Sequence, residues 1–431
     1  MRFQCSFTTR RRFLWAGGLS VALYGVTPAW AATPAVIPRT AAAPAPSEVI
    51  TRYMLGEAIA IGRANHPSLA ALRASAAAAT LKIQGLKEVS KGLGGLLPEI
   101  DYRRQQSDVG LQAAQVELAQ AEHEVTYAVI RCYYTIVYAR EQAKVAKDLV
   151  DQLDVYLDQV KKIVNSKGGG VKGITKDTED KLVGILKLAA GKLLEAETAV
   201  DRARAALREA MGVDMEGRVD AADEMLPEVK AEVTRAAVVA HATTRRGEVA
   251  LAGFGASAAR LEICAQWSRR LLVEMPTFAN GGDIHARPVP GATREPDYKP
   301  GAIGPEMPGK MLGKRATRTE TARQYAERAD AAAKQARHLI ALEAEIGHSR
   351  WDEATRKVEN FREAAARGKD LIDRQREASG GNLTKEDMLM NEVSATQSQA
   401  AFNEALYHQI LSLANLERIT AGGVHVNFPG R

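Results

Sequence analysis

Residues 175–212 read TKDTEDKLVGILKLAAGKLLEAETAVDRARAALREAMG, and the spacing of their apolar positions decides the fold. Leu182, Leu186, Ala189, Leu193, Ala196, Val200, Ala203, Leu207 and Ala210 alternate four and three residues apart. A repeat of period 3.5 keeps one apolar seam facing a partner helix while the two wind left-handed around each other. Alternating alanines in the seam bring the helix axes close together. Met211-Gly212 closes the stretch with a C-cap glycine.

The segment before it reads as the other arm of a hairpin. Helical patterning runs from about Leu111 to Val164, where Val150, Leu153, Leu157, Val160 and Val164 are spaced three and four apart. A glycine-rich turn at Gly168-Gly169-Gly170 and Gly173 joins the two arms. Further upstream, Leu55 to about Leu93 is helical with a break at Asn65-His66-Pro67, because proline disfavours helix in the residue before it. Leu96-Leu97-Pro98-Glu99-Ile100 ends that segment.

The second half of the chain repeats this plan. Ala236 to Arg269 is helical, and Leu271-Leu272-Val273-Glu274-Met275-Pro276 ends it. A Pro/Gly-rich stretch follows, then long helix from about Thr319 to Ala378, a turn at Gly380-Gly381, and a last helix from Thr384 to about Thr420 capped by Gly422-Gly423. Arg245-Arg246-Gly247 parallels the break at Asn65-His66-Pro67, and Gly422 parallels Gly212. The expected fold is therefore mainly α: long antiparallel helical hairpins in coiled-coil packing, internally duplicated, with at most a small β part. The expected divisions are residues 49–228 for the first repeat and 229–423 for the second, with a Pro/Gly-rich insert over 276–313 and a tail over 424–431.

The first residues read as an address. Thr9-Arg10-Arg11-Arg12-Phe13-Leu14-Trp15 resembles a twin-arginine export signal, with Arg10, Arg11, Phe13 and Leu14 at its defining positions. A short apolar run follows, and Ala29-Trp30-Ala31 is an A-x-A cleavage site ending at Ala31. Residues 1–31 are thus read as a signal peptide and 32–48 as a disordered Ala/Pro-rich tether; twin-arginine and Sec export both remain open. The leader carries Arg2, Arg10, Arg11 and Arg12 without an acid, so most of the net charge of +6 leaves with it. The remainder is close to neutral and lacks the sustained basic face that nucleic acid requires.

Chemistry-bearing motifs are sparse. The eight histidines are scattered, without H-E-x-x-H, and the three cysteines form no C-x-x-C. Glu122-His123-Glu124 is helical, so the three neighbours point apart. Gly168-Gly169-Gly170 with Lys172 lacks the spacing of a phosphate loop. No catalytic residue, metal site or cofactor site is expected. Cys132 and Cys264 either pair in an oxidising compartment or serve as small buried hydrophobes.

The order and duplication of these segments resemble the TolC-like outer-membrane efflux family over about residues 50–423. Its repeats open with L-x-x-A…A-x-x-x-N-P-x-L, read here as Leu55, Ala58, Ala64, Asn65, Pro67 and Leu69 with His66 inserted. Its long helices stop at a Leu-Pro such as Leu97-Pro98, and its returning helices start with Gly-x-x-(Thr/Ser)-x-x-Asp. Gly381, Thr384 and Asp387 match that turn well, and Gly173, Thr175 and Asp177 match loosely. The resemblance implies a homotrimeric outer-membrane channel projecting into the periplasm. It also implies a periplasmic adaptor that meets these six tip residues, and an inner-membrane transporter. One departure stands out. The family supplies two membrane strands per repeat, yet Pro98 to Leu111 leaves no room for two strands of ~9–11 residues each. A periplasmic coiled-coil scaffold or adaptor without a barrel, soluble in the periplasm, is the alternative.

Overall fold

The computed structural model describes residues 50–93, 97–165, 175–214, 218–269, 311–377 and 385–431. All of them lie within the unit Val49–Arg431. The signal positions, the tether, Ala31, Gly173, Gly381, Thr384 and most of the insert lie outside the described residues.

The first half contains β1 (Thr51–Tyr53), α1 (Leu55–Asn65), α2 (Pro67–Leu93), α3 (Ile100–Val164), α4 (Lys176–Ala210) and β2 (Val219–Ala221). The second contains α5 (Arg235–Arg245), α6 (Gly247–Ser268), α7 (Arg315–Glu377) and α8 (Lys385–Ile419). The helix pattern α1–α4 thus recurs as α5–α8. The 65 residues of α3 and 63 of α7 make rods of about 95 Å at ~1.5 Å per residue. β1 and β2 form one parallel pair, Thr51 opposite Val219 and Tyr53 opposite Ala221.

Both breaks occur where the sequence places them, by two different devices. Pro67 opens α2 as its first residue, and His66 before it is extended at ψ 124°. The buried His66 ring accepts the Ser68 N–H through Nδ1 at 3.2 Å, capping the new helix. That bond needs a neutral ring, and burial lowers the His66 pKa. In the second half Arg246 takes the same extended backbone, φ −67° and ψ 134°. It is also buried, but there it is an ion-paired guanidinium.

The α4 seam lies as its period requires. Leu182, Ala189, Val200, Ala203, Leu207 and Ala210 are buried, and Leu186, Leu193 and Ala196 are half-buried. Leu182 and Ala189 pack on Leu153, Leu157 and Val160 of α3. Helix α8 runs antiparallel to α3. Arg418 meets Glu124, the Tyr407 hydroxyl meets Thr135 at 2.8 Å, and the Ala400 carbonyl accepts from Gln142 at 3.0 Å. It is likewise antiparallel to α7, with Glu343 against Arg418 and Thr355 against Gln409.

The main core is a waist. From Val125 to Val137 every residue of α3 is buried except the half-buried Thr135. Around this stretch gather α1, the end of α4, the β pair and α8. Residues 424–431, read from sequence as a tail, also belong here. Val426 and Phe428 are buried, and the Phe428 ring lies 5.7 Å from that of Tyr134. The Gly56 N–H donates to the Gly430 carbonyl at 2.8 Å, and Arg431 donates twice to Glu417 at 2.6 Å.

Three sequence expectations are corrected. Helix α3 begins at Ile100, not near Leu111, because Arg103 and Gln106 turn inward to pair with Glu262. Helix α7 starts at Arg315, ahead of Thr319. Cysteine behaves two ways. Cys132 and Cys264 are both free; Cys132 is buried, its thiol pushed up to about 12 by burial, while Cys264 is exposed.

The paired glycines close the helices as expected. Gly212 has φ 62°, and the Val213 N–H reaches back to the Arg208 carbonyl at 3.2 Å; Gly422 has φ 73°. A Cβ on Gly212 would come within 2.8 Å of the Asn65 carbonyl oxygen, part of the α1–α2 break. Gly212→Ala should therefore lower stability by about 2 kcal/mol or more, read as a lower urea midpoint, since it adds strain and a backbone clash together. An unchanged midpoint would count against this packing.

Candidate functional site

Two features of this molecule are candidates for function: the waist, which fixes how the hairpins are aimed, and the ends of the hairpins.

A buried ionic network sits where α3, α6, α7 and α8 meet. Arg418 donates from Nη1 to Glu124 Oε1 at 3.0 Å and from Nη2 to Glu343 Oε1 at 2.9 Å. Its guanidinium lies 5.4 Å from the Tyr127 ring centre. Glu343 also accepts from Arg246 Nη1, and Arg246 Nε donates to Glu248 at 2.9 Å. Gln120 links the ends of the network, donating to Glu124 at 3.2 Å and accepting the Gly247 N–H at 3.2 Å. Burial opposes charge on Arg418, but Glu124 and Glu343 outweigh it and raise its pKa. Sequence reading missed this network entirely.

The β pair is anchored by a second ion cluster. Asp220 of β2 is buried between Arg140 of α3 and Arg204 of α4, the latter donating at 2.8 Å. Burial pushes its carboxyl up; Arg204 and Arg140 outweigh that and hold it below the ordinary carboxylate range.

At the end where α2 and α6 finish, Arg103 forms a bidentate, fully buried pair with Glu262, Nη2 donating to Oε1 at 3.0 Å. Gln106 donates to Glu262 at 2.8 Å and to the Ala258 carbonyl at 3.0 Å. Only residues 94–99 lie between α2 and α3.

Of the six expected tip residues, two are described completely. Thr175 and Asp177 are exposed at the start of α4. The Thr175 N–H donates to Thr178 Oγ1 at 3.4 Å, half of a capping box, and Asp177 stands in the first turn where the helix dipole favours an acid. Asp387 lies in the first turn of α8, its side chain outside the described residues.

Elsewhere Glu122, His123 and Glu124 diverge as neighbours on a helix must. Glu124 faces Arg418, Glu122 faces Arg73 at 3.9 Å, and His123 packs by Gly422. Among the described residues no group of three or more His, Cys, Asp or Glu side chains is placed to hold a metal ion. No described helix is long and apolar enough to cross a membrane.

Duplicated antiparallel hairpins on a shared waist define the fold of the TolC-like outer-membrane efflux channels. The open-state MtrE outer-membrane channel of Neisseria gonorrhoeae superposes with a TM-score of 0.65 at 12% identity, covering 86% of this chain and 89% of that one. The outer-membrane channel OprN gives 0.65 at 13%, covering 87% and 94%. A membrane protein from Pseudomonas aeruginosa gives 0.64 at 13%, covering 89% and 98%. No family sequence model and no curated protein matches the chain.

The network and the β-pair ion cluster carry one expectation each. Arg418→Met takes the cation from half-buried Glu124 and one of the two cations from buried Glu343, which keeps Arg246, and should cost about 3 kcal/mol, measured by denaturant unfolding. Asp220→Asn should behave differently with pH. A carboxyl held below its unfolded value stabilises above that value and loses the contribution as pH falls through the folded one. The variant should be less stable by about 2 kcal/mol at pH 7, and the gap should close as pH falls through and below the ordinary carboxylate range. A gap that persists in acid would assign the effect to packing.

Proposed function

We propose that this chain is the channel component of a tripartite efflux or type I secretion system, set in the outer membrane and projecting into the periplasm. It would work as a homotrimer and carry small molecules or proteins without catalysing a reaction. One observation carries the reading: two duplicated hairpins run side by side in one sense, in the fold of known outer-membrane channels across most of the chain. The antiparallel register of α3 with α8 supports placing Gly173, Thr175 and Asp177 beside Gly381, Thr384 and Asp387 at one mouth of the bundle. In this reading those residues meet a periplasmic adaptor, which links them to an inner-membrane transporter. Exposed Leu188 and Leu194 on α4 and a groove of about 480 Å³ between α7 and α8 support self-association. The division into a leader over 1–31, a tether over 32–48 and repeats over 49–228 and 229–423 belongs to the same proposal.

A second reading, a periplasmic scaffold or adaptor without a barrel, is favoured by the six-residue connection between α2 and α3. Two membrane strands of ~9–11 residues each do not fit there. Fractionation separates the two readings: a channel stays with outer-membrane fractions, whereas a scaffold is released by osmotic shock.

Native mass spectrometry should give three copies, and a stable monomer would overturn the conduit. Asp177→Lys reverses an exposed charge at the tip. It should cost no more than about 1–2 kcal/mol of stability, through the helix dipole, while lowering export several-fold in cells that depend on this chain. Normal export by that variant would remove the tip from the proposal.

A further inference from the structure

The end where α2 and α6 finish and α3 and α7 begin carries an unusual surface. Trp267, the penultimate residue of α6, is 58% exposed, and Leu312 just before α7 is 84% exposed. Arg315 lays its guanidinium 3.8 Å from the Trp267 ring centre. Lys314 and Arg315 are exposed, and neither has an ion-pair partner among the described residues. The nearby acids are used elsewhere: Asp101 faces Arg104 at 3.8 Å, Glu320 pairs with Arg323, and Glu262 is buried on Arg103.

Beyond the stacking of Arg315 on Trp267, stability does not account for this arrangement. The first turn of α7 contains no acid, although a helix N-terminus favours one, and cations there oppose the dipole. An exposed tryptophan beside an exposed leucine gains nothing in water. A headgroup layer rewards both. Tryptophan settles where one edge is apolar and the other wet, leucine enters the acyl boundary, and lysine and arginine meet lipid phosphates.

We propose that this end docks end-on against a phospholipid membrane bearing anionic headgroups. Trp267 and Leu312 enter the interface, and Lys314 and Arg315 face the phosphates. This rests on the reading above in taking the end away from the tips as the membrane-facing one. It adds an attachment built from helix ends, where the six-residue α2–α3 connection has no room for two membrane strands.

Vesicle flotation tests it, using the chain purified from the cell envelope. Vesicles of phosphatidylcholine with phosphatidylglycerol should carry the protein, vesicles of phosphatidylcholine alone should carry far less, and added salt should release it. Trp267→Ser, and the double change Lys314→Glu with Arg315→Glu, should each weaken flotation by about tenfold or more. Their native mass should stay unchanged and their melting temperature should not fall, the double variant gaining acids that suit the helix dipole. Brominated lipid should quench Trp267 emission in a Trp351→Phe background.

Equal flotation of parent and variants, or equal binding to both vesicle types, would overturn the proposal. So would variants that float normally but change native mass, which would assign the surface to contact between copies. The two readings fail separately. A parent that assembles and exports but ignores anionic vesicles sinks the docking alone. A parent that binds them through Trp267 but neither assembles nor exports sinks the conduit alone.

Discussion

Arg418 is the point on which the arrangement of the long helices depends. A coiled-coil seam is nearly translationally symmetric: slide one helix by seven residues and most apolar contacts re-form. Nothing in the α3–α4 or α7–α8 seams by itself fixes how far each rod is slid past its neighbours. A buried guanidinium does. With Glu124 on α3 and Glu343 on α7 both bonded to Arg418, a slip of one heptad of α8 leaves a buried guanidinium without either carboxylate. Such a network adds little net stability over apolar packing, because burial costs about what pairing returns. Its effect is to penalise the wrong register.

Arg246 extends that control to the second repeat. It occupies the helix break that His66 occupies in the first, with the same extended backbone. Duplication preserved the break and exchanged its chemistry. His66 caps its own helix with a neutral ring, while Arg246 reaches out to Glu343. The two halves therefore share a backbone path but not a source of rigidity. One break is held locally, the other by its neighbours.

What could be read from the sequence follows from range. The α4 seam, the breaks at Pro67 and Arg246 and the cap glycines at Gly212 and Gly422 are local signals, and they lie in the structure where period and backbone chemistry put them. The partners at Arg418 and Glu124 are 294 positions apart, and each alone looks like one more solvated charge on an amphipathic helix. The early start of α3 was hidden for the same reason. Asp101-Tyr102-Arg103-Arg104-Gln105-Gln106 has no apolar face, since the inward positions Arg103 and Gln106 are polar and satisfied by Glu262 from another helix. Periodicity counts apolar residues, so it cannot see a core made of paired charges. The start of α4 at Thr175 was legible because a glycine-rich turn before a heptad seam is a local signal. Trp267 and Leu312 were not, since exposure depends on what the fold leaves uncovered.

The packing of residues 424–431 bears on the order of events in folding. Val426 and Phe428 fill the waist against residues made some three hundred positions earlier, and the Gly430 carbonyl ties down the start of α1. Until residues 424–431 are in place, the waist has a gap where Val426 and Phe428 belong. The contacts within each hairpin span less of the chain than those that close the waist, so hairpins can form first. The hairpins are then ready-made rods that are not yet aimed.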